Sequence, residues 1–349
     1  MLPERLGLSA EKVAAAEARL DQLWAKGRAL LGTRTAIMGG AMTWVSERNL
    51  VAAISNAGGF GVLATGSMSP QQLDAEIAAT FARTKEPFGV NLITMHPQLG
   101  ELIDVCIGRK VTHVVLAGGV PKSADVKHVK AGGPRVLVFA PAIALAQRLT
   151  RAGADGIIIE GNEAGGHIGP VCTSVLAQEI LPAVRDVPVF VAGGIGRGEA
   201  IAAYLEMGAA GCQLGTRFVC ATESIAHSRF KQAFLKANAR DAIPSVQIDP
   251  RFPVIPVRAI QNDGTRRFHE FQREVIDDFL AGRIDQASAQ LKIEHFWAGQ
   301  LRNAVINGDV ENGSLMAGQS VGMVTSIQPT AEIITTLVSE AVTALARRL

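Results

Sequence analysis

Short apolar runs alternate with longer amphipathic stretches along most of the chain. A periodic apolar pattern over residues 9–31 predicts an N-terminal helix, and Ser9 suits its N-cap position. After it, eight apolar runs predict strands, each followed by a helical pattern. These predicted strands are Thr35–Met38, Phe60–Ala64, Phe88–Ile93, His113–Ala117, Arg135–Ala140, Gly156–Glu160, Pro188–Ala192 and Gly211–Leu214.

The spacing and polarity of these runs favour an α/β barrel. The strand starts recur roughly every 25 residues, a comfortable length for one strand with its crossover helix. Runs such as VVLA, VLVFA and GIIIE are continuously apolar, so both faces of these strands are predicted to be buried. Eight such units in succession predict a (β/α)8 TIM barrel. An open, Rossmann-like sheet is the alternative that strand counting leaves open.

The alternation of predicted strands and helices ends near residue 224, where a proline-rich segment is followed by further helical patterns. We therefore predict four parts. An N-terminal helical segment spans residues 1–34, and the barrel spans residues 35–223. A helical cap domain spans residues 224–329, and a terminal helix over residues 330–349 packs back on the barrel.

Composition narrows the classes of function. The chain has 34 Lys and Arg residues against 32 Asp and Glu residues, and 48% of its residues are hydrophobic. This balance rules out an acidic disordered chain and gives no electrostatic reason to expect a nucleic-acid partner. The 36 glycines and the low aromatic content of 5% fit a small-molecule enzyme. The four cysteines show neither a CxxC pair nor zinc-ligand spacing, so no metal site is predicted.

The sequence carries no targeting or membrane signal that we recognise. Its first residues, MLPERLGLSAEKV, are charged and helix-like, without the apolar region of a signal peptide. No run reaches the ~20 apolar residues that a membrane-spanning helix needs. We therefore expect a reduced, cytoplasmic protein without a membrane partner. The sequence does not indicate the oligomeric state and leaves a homodimer open.

Candidate chemistry lies at the carboxyl ends of the predicted strands, because active sites of TIM barrels form at that face. After the first strand, Gly39 and Gly40 allow a ligand to approach the backbone, although a structural turn explains them equally well. Ser46 in the same loop can cap the next helix. Asn91, near the end of the third strand, can offer its amide to a planar heterocycle, or neighbouring backbone can satisfy it.

The loop after the sixth strand, EGNEAGGHIGP, is the most informative. Glu160 ends a buried strand, where an ionised carboxylate is costly unless another group hydrogen-bonds it. Gly165 and Gly166 lead into His167, and an unperturbed imidazole titrates near neutrality, as a general acid or base requires. A lone histidine is more often structural, but this position favours a catalytic role. The other six histidines show no comparable setting.

The loops after the seventh and eighth strands, VAGGIGRGEA and QLGTRF, predict a phosphate site. The residues concerned are Gly193, Gly194, Gly215 and Thr216. The loops after the last two barrel strands commonly form such a site. Free backbone amides in glycine turns can hold a dianion without any lysine. A nearly neutral chain could therefore bind a phosphorylated cofactor.

Four motifs, in this order, carry a family resemblance: EGNEAGGHIGP, VAGGIGRGEA, GAAGCQLGTRFVCATES and GDVENGSLMAGQ. They resemble the nitronate monooxygenase (2-nitropropane dioxygenase) family, which also includes flavin-dependent enoyl-ACP reductases. The resemblance runs from about residue 36 to residue 322. It implies a flavoprotein oxidoreductase with an FMN-containing (β/α)8 barrel and an added helical domain.

The resemblance also implies roles for individual positions. The family's catalytic histidine corresponds to His167, and the FMN phosphate would lie on the two phosphate loops. Asn91 matches an asparagine near the isoalloxazine ring, and Glu160 matches an acidic residue near the ribityl chain. Gly318 and Gln319 match a MAGQ segment that approaches the flavin from the cap. Further cofactor contacts are expected at Gly40, Met42, Ala117, Gly165, Gly166 and Ala192. The family usually has glutamine where this chain has Gly39.

Two activities are compatible with the resemblance, and we favour the first. It is the FMN-dependent oxidation of alkyl nitronates or nitroalkanes by dioxygen to a carbonyl compound and nitrite, with His167 as base or hydrogen-bonding group. The alternative is FMN-dependent reduction of enoyl thioesters of acyl carrier protein by NAD(P)H. The partner is then a small nitronate or a carrier-protein thioester. A non-catalytic phosphate-binding barrel is a third hypothesis, which predicts a colourless protein.

Overall fold

The computed structural model describes residues 8–349, so residues 1–7 of the predicted N-terminal segment lie outside the described residues. Eight parallel strands form its centre, and a helix lies between each consecutive pair. The strands are β1 (Ile37–Gly39), β2 (Gly61–Ala64), β3 (Phe88–Ile93), β4 (His113–Ala117), β5 (Arg135–Phe139), β6 (Gly156–Glu160), β7 (Gly166–His167), β8 (Val189–Ala192), β9 (Gly211–Leu214), β10 (Ala242–Pro244) and β11 (Val257–Ile260). Strands β7, β10 and β11 lie outside the barrel. Four barrel strands match their predicted bounds residue for residue, and the others agree within two residues.

A seam between β1 and β2 closes the barrel. The strands pair in parallel in the order β1-β9-β8-β6-β5-β4-β3-β2, and a parallel bridge joins Met38 to Phe60. The amide of Gly39 donates to the carbonyl of Phe60 at 2.9 Å, and the amide of Phe60 donates to the carbonyl of Ile37 at 2.9 Å. The predicted TIM barrel is therefore confirmed, and the open-sheet alternative is wrong.

Helices cover the outer face of the barrel, as the continuously apolar strands predict. The helices are α1 (Ala10–Leu23), α2 (Ala25–Leu31), α3 (Arg48–Asn56), α4 (Pro70–Phe81), α5 (Leu99–Gly108), α6 (Ser123–Ala131), α7 (Ile143–Arg151), α8 (Thr173–Ile180), α9 (Gly198–Glu206), α10 (Thr216–Val219), α11 (Ser228–Lys236), α12 (Asp263–Leu280), α13 (Gln286–His295), α14 (Gln300–Arg302) and α15 (Thr330–Ala346). Helix α15 packs against α1, α3 and α9. Within residues 8–349, no helix is both long and apolar enough to cross a bilayer.

Of the two amino-terminal helices, α1 packs against α9 and α15, and α2 lies against the lower end of the barrel. The hydroxyl of Ser9 accepts the amide of Lys12 at 3.3 Å, so Ser9 is the N-cap of α1 as predicted. The prediction of one continuous helix is wrong, because the chain leaves helical geometry at Trp24, which is buried between α1 and α2. This break lets α2 run beneath the barrel. There, the carbonyl of Leu30 lies 2.8 Å from the imidazole Nε2 of His113.

The segment between α11 and α15 contains a small sheet as well as helices. Strands β10 and β11 are antiparallel, and β11 also pairs with β7, which belongs to the loop after β6. The prediction of a purely helical cap missed these strands, because they are short and bordered by prolines, which leaves no alternating pattern. Helices α12 and α13 enclose a separate apolar cluster around Phe252 and Phe268. The cap is therefore hydrogen-bonded directly to the loop that carries His167.

Candidate active site

Two polar side chains, Glu160 and Gln213, face the interior of the barrel at its carboxyl end. Side chains alternate along a strand, so Glu160 faces the same side of β6 as Gly156. A Cβ built at Gly156 would lie 2.8 Å from Cδ2 of Leu30, beneath the barrel. Glu160 is the register partner of Ala192, which is the partner of Gln213. These three residues therefore share the interior face of the sheet.

Asn91 reaches the same mouth from β3. It lies two residues after Gly89, where an added Cβ would lie 3.0 Å from the ring of Phe60. The side chains of Asn91, Glu160 and Gln213 make no hydrogen bond to the described residues, although Asn91 and Gln213 are largely buried. Their polar atoms are therefore free to hydrogen-bond a ligand. The mouth of the barrel is therefore lined by groups that suit a polar ligand.

Glu160 is the most perturbed carboxyl group of this lining. Its burial raises the pKa of the side chain from 4.5 to about 7, and no cation offsets this effect. At neutral pH the carboxyl group is close to half protonated. It can thus either donate a hydrogen bond to a ligand or accept one from it.

Replacing Glu160 with glutamine is expected to raise the melting temperature of the ligand-free protein by an amount that grows with pH. The pKa of Glu160 is about 7 in the folded chain and near 4.5 in the unfolded chain. The free energy of unfolding of the parent therefore falls as pH rises from 4.5 to 7, and it falls no further above pH 7 on account of this group. Glutamine carries no charge, so the variant gains up to about 2–3 kcal/mol at pH 8 and little near pH 4.5.

The measurement is a pair of thermal denaturation curves at pH 5 and pH 8. Replacement of Glu101, an exposed residue of α5, with glutamine is the matched control. A difference between Glu160→Gln and the parent that stays constant between the two pH values would contradict this electrostatic assignment.

The loop after β6 is fastened to the MAGQ segment and to the loop after β9. The amide of Gln319 donates to the carbonyl of Glu163 at 2.9 Å. The amide of Gly318 donates to the hydroxyl of Thr216 at 2.9 Å. A Cβ at Gly165 would lie 2.5 Å from the nitrogen of Gly318, so the two backbones touch. Three segments that are distant in sequence thus meet at one side of the mouth.

Glu163 anchors this loop to the protein. Its carboxylate accepts the amide and the hydroxyl of Thr173, the first residue of α8, at 2.8 Å each. Thr173 Oγ1 also lies 3.1 Å from the carbonyl oxygen of Gly193. An added Cβ at Gly194 would lie 2.9 Å from Cβ of Glu163. Glu163 thus positions the loops after β6 and β8 relative to each other.

The two predicted phosphate loops present unpaired backbone donors. The amides of Gly193, Gly194, Gly215 and Thr216 donate no hydrogen bond to any residue from 8 to 349. Gly193 and Gly194 have φ values of 97° and 71°, a left-handed conformation that glycine adopts readily. Successive amides in such turns form a concave anion-binding surface. This surface suits a phosphate group.

The loop after β1 lies against the loop after β9. A Cβ at Gly40 would lie 3.4 Å from Cα of Gly215, and one at Gly215 would lie 3.5 Å from the sulfur of Met42. The hydroxyl of Ser46 donates to the carbonyl of Gly40 at 2.8 Å and accepts the amide of Met42 at 2.9 Å. Because this hydroxyl is engaged within the loop, the expectation that Ser46 caps α3 is wrong. The carboxylate of Glu47 caps that helix.

His167 lies on β7, at the edge of the small sheet of β7, β10 and β11, which we call the cap sheet. Its register partner is Val257 of β11. Its side chain is exposed, and the imidazole makes no hydrogen bond to the described part of the chain. Neighbouring protein atoms nevertheless exclude water from part of the ring, and this desolvation lowers the pKa of the imidazole below its usual value of 6.5. The ring is therefore open to a ligand, although neighbouring protein atoms partly desolvate it. It is mainly neutral at pH 7 and can accept or donate a proton.

Gln213 and Arg258 are the residues that sequence reasoning missed. Gln213 interrupts the apolar run GCQL much as Asn91 interrupts GVNLI, so the same signal could have identified it. Arg258 is buried, and its guanidinium donates to the carbonyls of Asn162 at 2.9 Å and Ala242 at 2.5 Å. It therefore ties the loop after β6 to the cap sheet.

The remaining predicted contacts lie on strands of the barrel or of the small sheet. Ala117 ends β4 and accepts the amide of Thr94 at 2.8 Å, and Ala192 ends β8. Gly166, on β7, has Arg258 as its register partner. Within the described ranges, no group of three or more His, Cys, Asp or Glu side chains could hold a metal ion.

Comparison with known proteins places these features in context. A family model described as nitronate monooxygenase matches residues 28–340. The structure of FabK from Thermotoga maritima has 35% sequence identity and a TM-score of 0.81, over 90% of this chain and 94% of that one. A nitroalkane oxidase from Streptomyces ansochromogenes has 28% identity and a TM-score of 0.75, over 92% of this chain and 99% of that one. A 5-hydroxy-7a-methyl-1-oxo-octahydro-1H-indene-4-carboxyl-CoA dehydrogenase of Rhodococcus jostii is 30% identical, over 90% of this chain and 94% of its own length.

Proposed function

The chain belongs to the nitronate monooxygenase family, and from that premise we propose that it is an FMN-dependent oxidoreductase with His167 at its reacting centre. The observation that carries this proposal is the composition of the barrel mouth. Unpaired amides of two glycine loops and three unpaired polar side chains surround it. These groups fit a ligand that has a phosphate at one end and a polar heterocycle at the other.

Each part of the mouth suits a different part of FMN. The amides of the loops after β8 and β9 would hold the phosphate. The carboxyl group of Glu160 would hydrogen-bond the ribityl hydroxyls, and the amides of Asn91 and Gln213 would hydrogen-bond the polar edge of the ring. When bound, FMN supplies the electron transfer, and the protein supplies orientation and proton placement.

We favour FMN-dependent oxidation of alkyl nitronates or nitroalkanes by dioxygen to a carbonyl compound and nitrite. A neutral imidazole at His167 can donate a hydrogen bond to a nitronate oxygen. It can equally take the proton from the α-carbon of a neutral nitroalkane, because desolvation keeps it unprotonated at pH 7. The similarity to a nitroalkane oxidase supports this choice.

Reduction of an enoyl thioester by NAD(P)H is the second candidate, and the rim of the mouth favours it. Trp44, Met95 and Val120, on the loops after β1, β3 and β4, are exposed large apolar side chains. Exposed apolar surface beside a polar cleft is typical of a binding site for an apolar group such as an acyl chain. The Rhodococcus relative is also named for a carboxyl-CoA substrate. In this reaction, His167 would donate a hydrogen bond to the thioester carbonyl.

Steady-state assays on the purified protein separate the two activities. For nitronate oxidation, we expect oxygen uptake with propyl-2-nitronate and no NADPH consumption with crotonyl-CoA. The reverse pattern would establish the reductase. A colourless protein that is inactive in both assays would contradict the flavoenzyme proposal and support the non-catalytic barrel.

A further inference from the structure

An exposed tryptophan, Trp44, stands at the rim of the mouth in an unusual backbone conformation. It lies two residues after Met42, has a φ of 69° and is 36% exposed. A left-handed conformation costs a non-glycine residue about 1–2 kcal/mol. The two hydrogen bonds of Ser46 hold the loop in this form. The loop therefore keeps a large aromatic face beside the proposed flavin site.

An arginine of the cap lies over this aromatic face. The guanidinium carbon of Arg302, at the end of α14, is 5.6 Å from the centre of the Trp44 ring system. Its guanidinium has no salt bridge or hydrogen bond to any residue between 8 and 349. Acidic residues pair with four other arginines of the cap, namely Arg229, Arg251, Arg266 and Arg283, whereas Arg273 has neither an ion pair nor an aromatic partner in the described residues. Arg302 thus combines a fixed stacking partner with free hydrogen-bond donors.

Arg302 is also tied to the segment that reaches the phosphate loops. The carbonyl of Gln300, in the same helix, accepts the amide of Ser314 at 3.1 Å. The chain that follows Ser314 leads to Gly318, whose amide donates to Thr216. Residues Asn303–Asn307 form a π-helical turn directly after Arg302, a feature frequent at functional sites.

We propose that Arg302, held on the face of Trp44, binds a second anionic group of the substrate, a carboxylate or a phosphate, and so selects substrates that carry one. A guanidinium donates two parallel hydrogen bonds to such a group, and stacking on an indole leaves these donors free. The substrate's reacting end would meet His167, and its charged end would meet Arg302. This inference rests on the proposed function, because it concerns the substrate of that site.

The test compares Arg302→Gln with the parent holoenzyme on matched substrate pairs. Propionate 3-nitronate and propyl-1-nitronate differ in one carboxylate, and crotonyl-CoA and crotonyl-pantetheine differ in the phosphorylated adenosine group of coenzyme A. For the pair that the parent turns over, the ratio of kcat/KM between the substrate that carries the additional anionic group and the one that lacks it should fall roughly 10–100-fold in Arg302→Gln. Arg302→Lys should restore part of the parent ratio. Arg273→Gln, at an exposed position of α12, is the matched control and should keep the parent ratio.

An equilibrium measurement separates this inference from the proposed function. Calorimetric titration of the holoprotein with coenzyme A, and separately with succinate, reports anion binding without turnover. Weaker binding of either probe in Arg302→Gln, with unchanged binding in Arg273→Gln, supports the inference even if both activity assays fail. An unchanged ratio overturns it, including the case of an equal loss on both members of a pair together with a lower melting temperature, because Arg302 would then only stabilise the loop.

Discussion

Replacing His167 with alanine is expected to lower turnover by roughly 10²–10⁴-fold while FMN stays bound. The imidazole is accessible, has no hydrogen-bond partner in the described chain and lies on the loop after β6, the strand that ends at Glu160. The proposed phosphate contacts are backbone amides on other loops, so removal of this ring leaves them intact. The measurement is kcat per bound flavin, with the flavin content determined from the absorbance spectrum.

His128→Ala is the matched control, because this histidine lies on α6, outside the mouth, and pairs with Asp104. The control should turn over at the parent rate. If His167→Ala lost its flavin but kept the parent turnover per bound flavin, the residue would have a binding role and the catalytic assignment would be wrong.

Replacing Gly165 with alanine is expected to disrupt the junction between the loop after β6 and the MAGQ segment. The new Cβ would lie 2.5 Å from the nitrogen of Gly318 and 2.6 Å from the carbonyl carbon of Ala317. Both are backbone atoms, so the two segments must separate. Overpacking of this kind costs about 1–3 kcal/mol. We also expect weaker FMN binding, because the separation would pull Gly318 away from Thr216.

Gly169→Ala supplies the control within the same loop, since an added Cβ there meets no atom within 4 Å. Melting temperature and flavin content should fall in Gly165→Ala and stay near the parent values in Gly169→Ala. If the two variants behaved alike, the close contact between the loop and the MAGQ segment would not be important for the site.

The barrel could be predicted because its strands are buried on both faces and therefore appear as continuous apolar runs. The small sheet of β7, β10 and β11 could not be predicted from the sequence. Strand β7 has two residues, and its partner Val257 lies about 90 positions further along the chain. Nothing in the local pattern around His167 specifies that pairing.

The candidate site was predictable where a polar residue interrupts an apolar strand. Asn91 and Glu160 were identified in this way, and Gln213 carries the same signal. Arg258 carries none, because its role depends on carbonyls from two distant segments. The left-handed conformation of Trp44 runs against the preference of that residue type, so the local sequence does not predict it.

A crystal structure of the protein with FMN bound is the most direct test of the central claim. We predict that the phosphate accepts hydrogen bonds from the amides of Gly193, Gly194, Gly215 and Thr216, and that the imidazole of His167 faces the flavin ring. An FMN phosphate bound elsewhere, or an imidazole turned away from the ring, would contradict the claim.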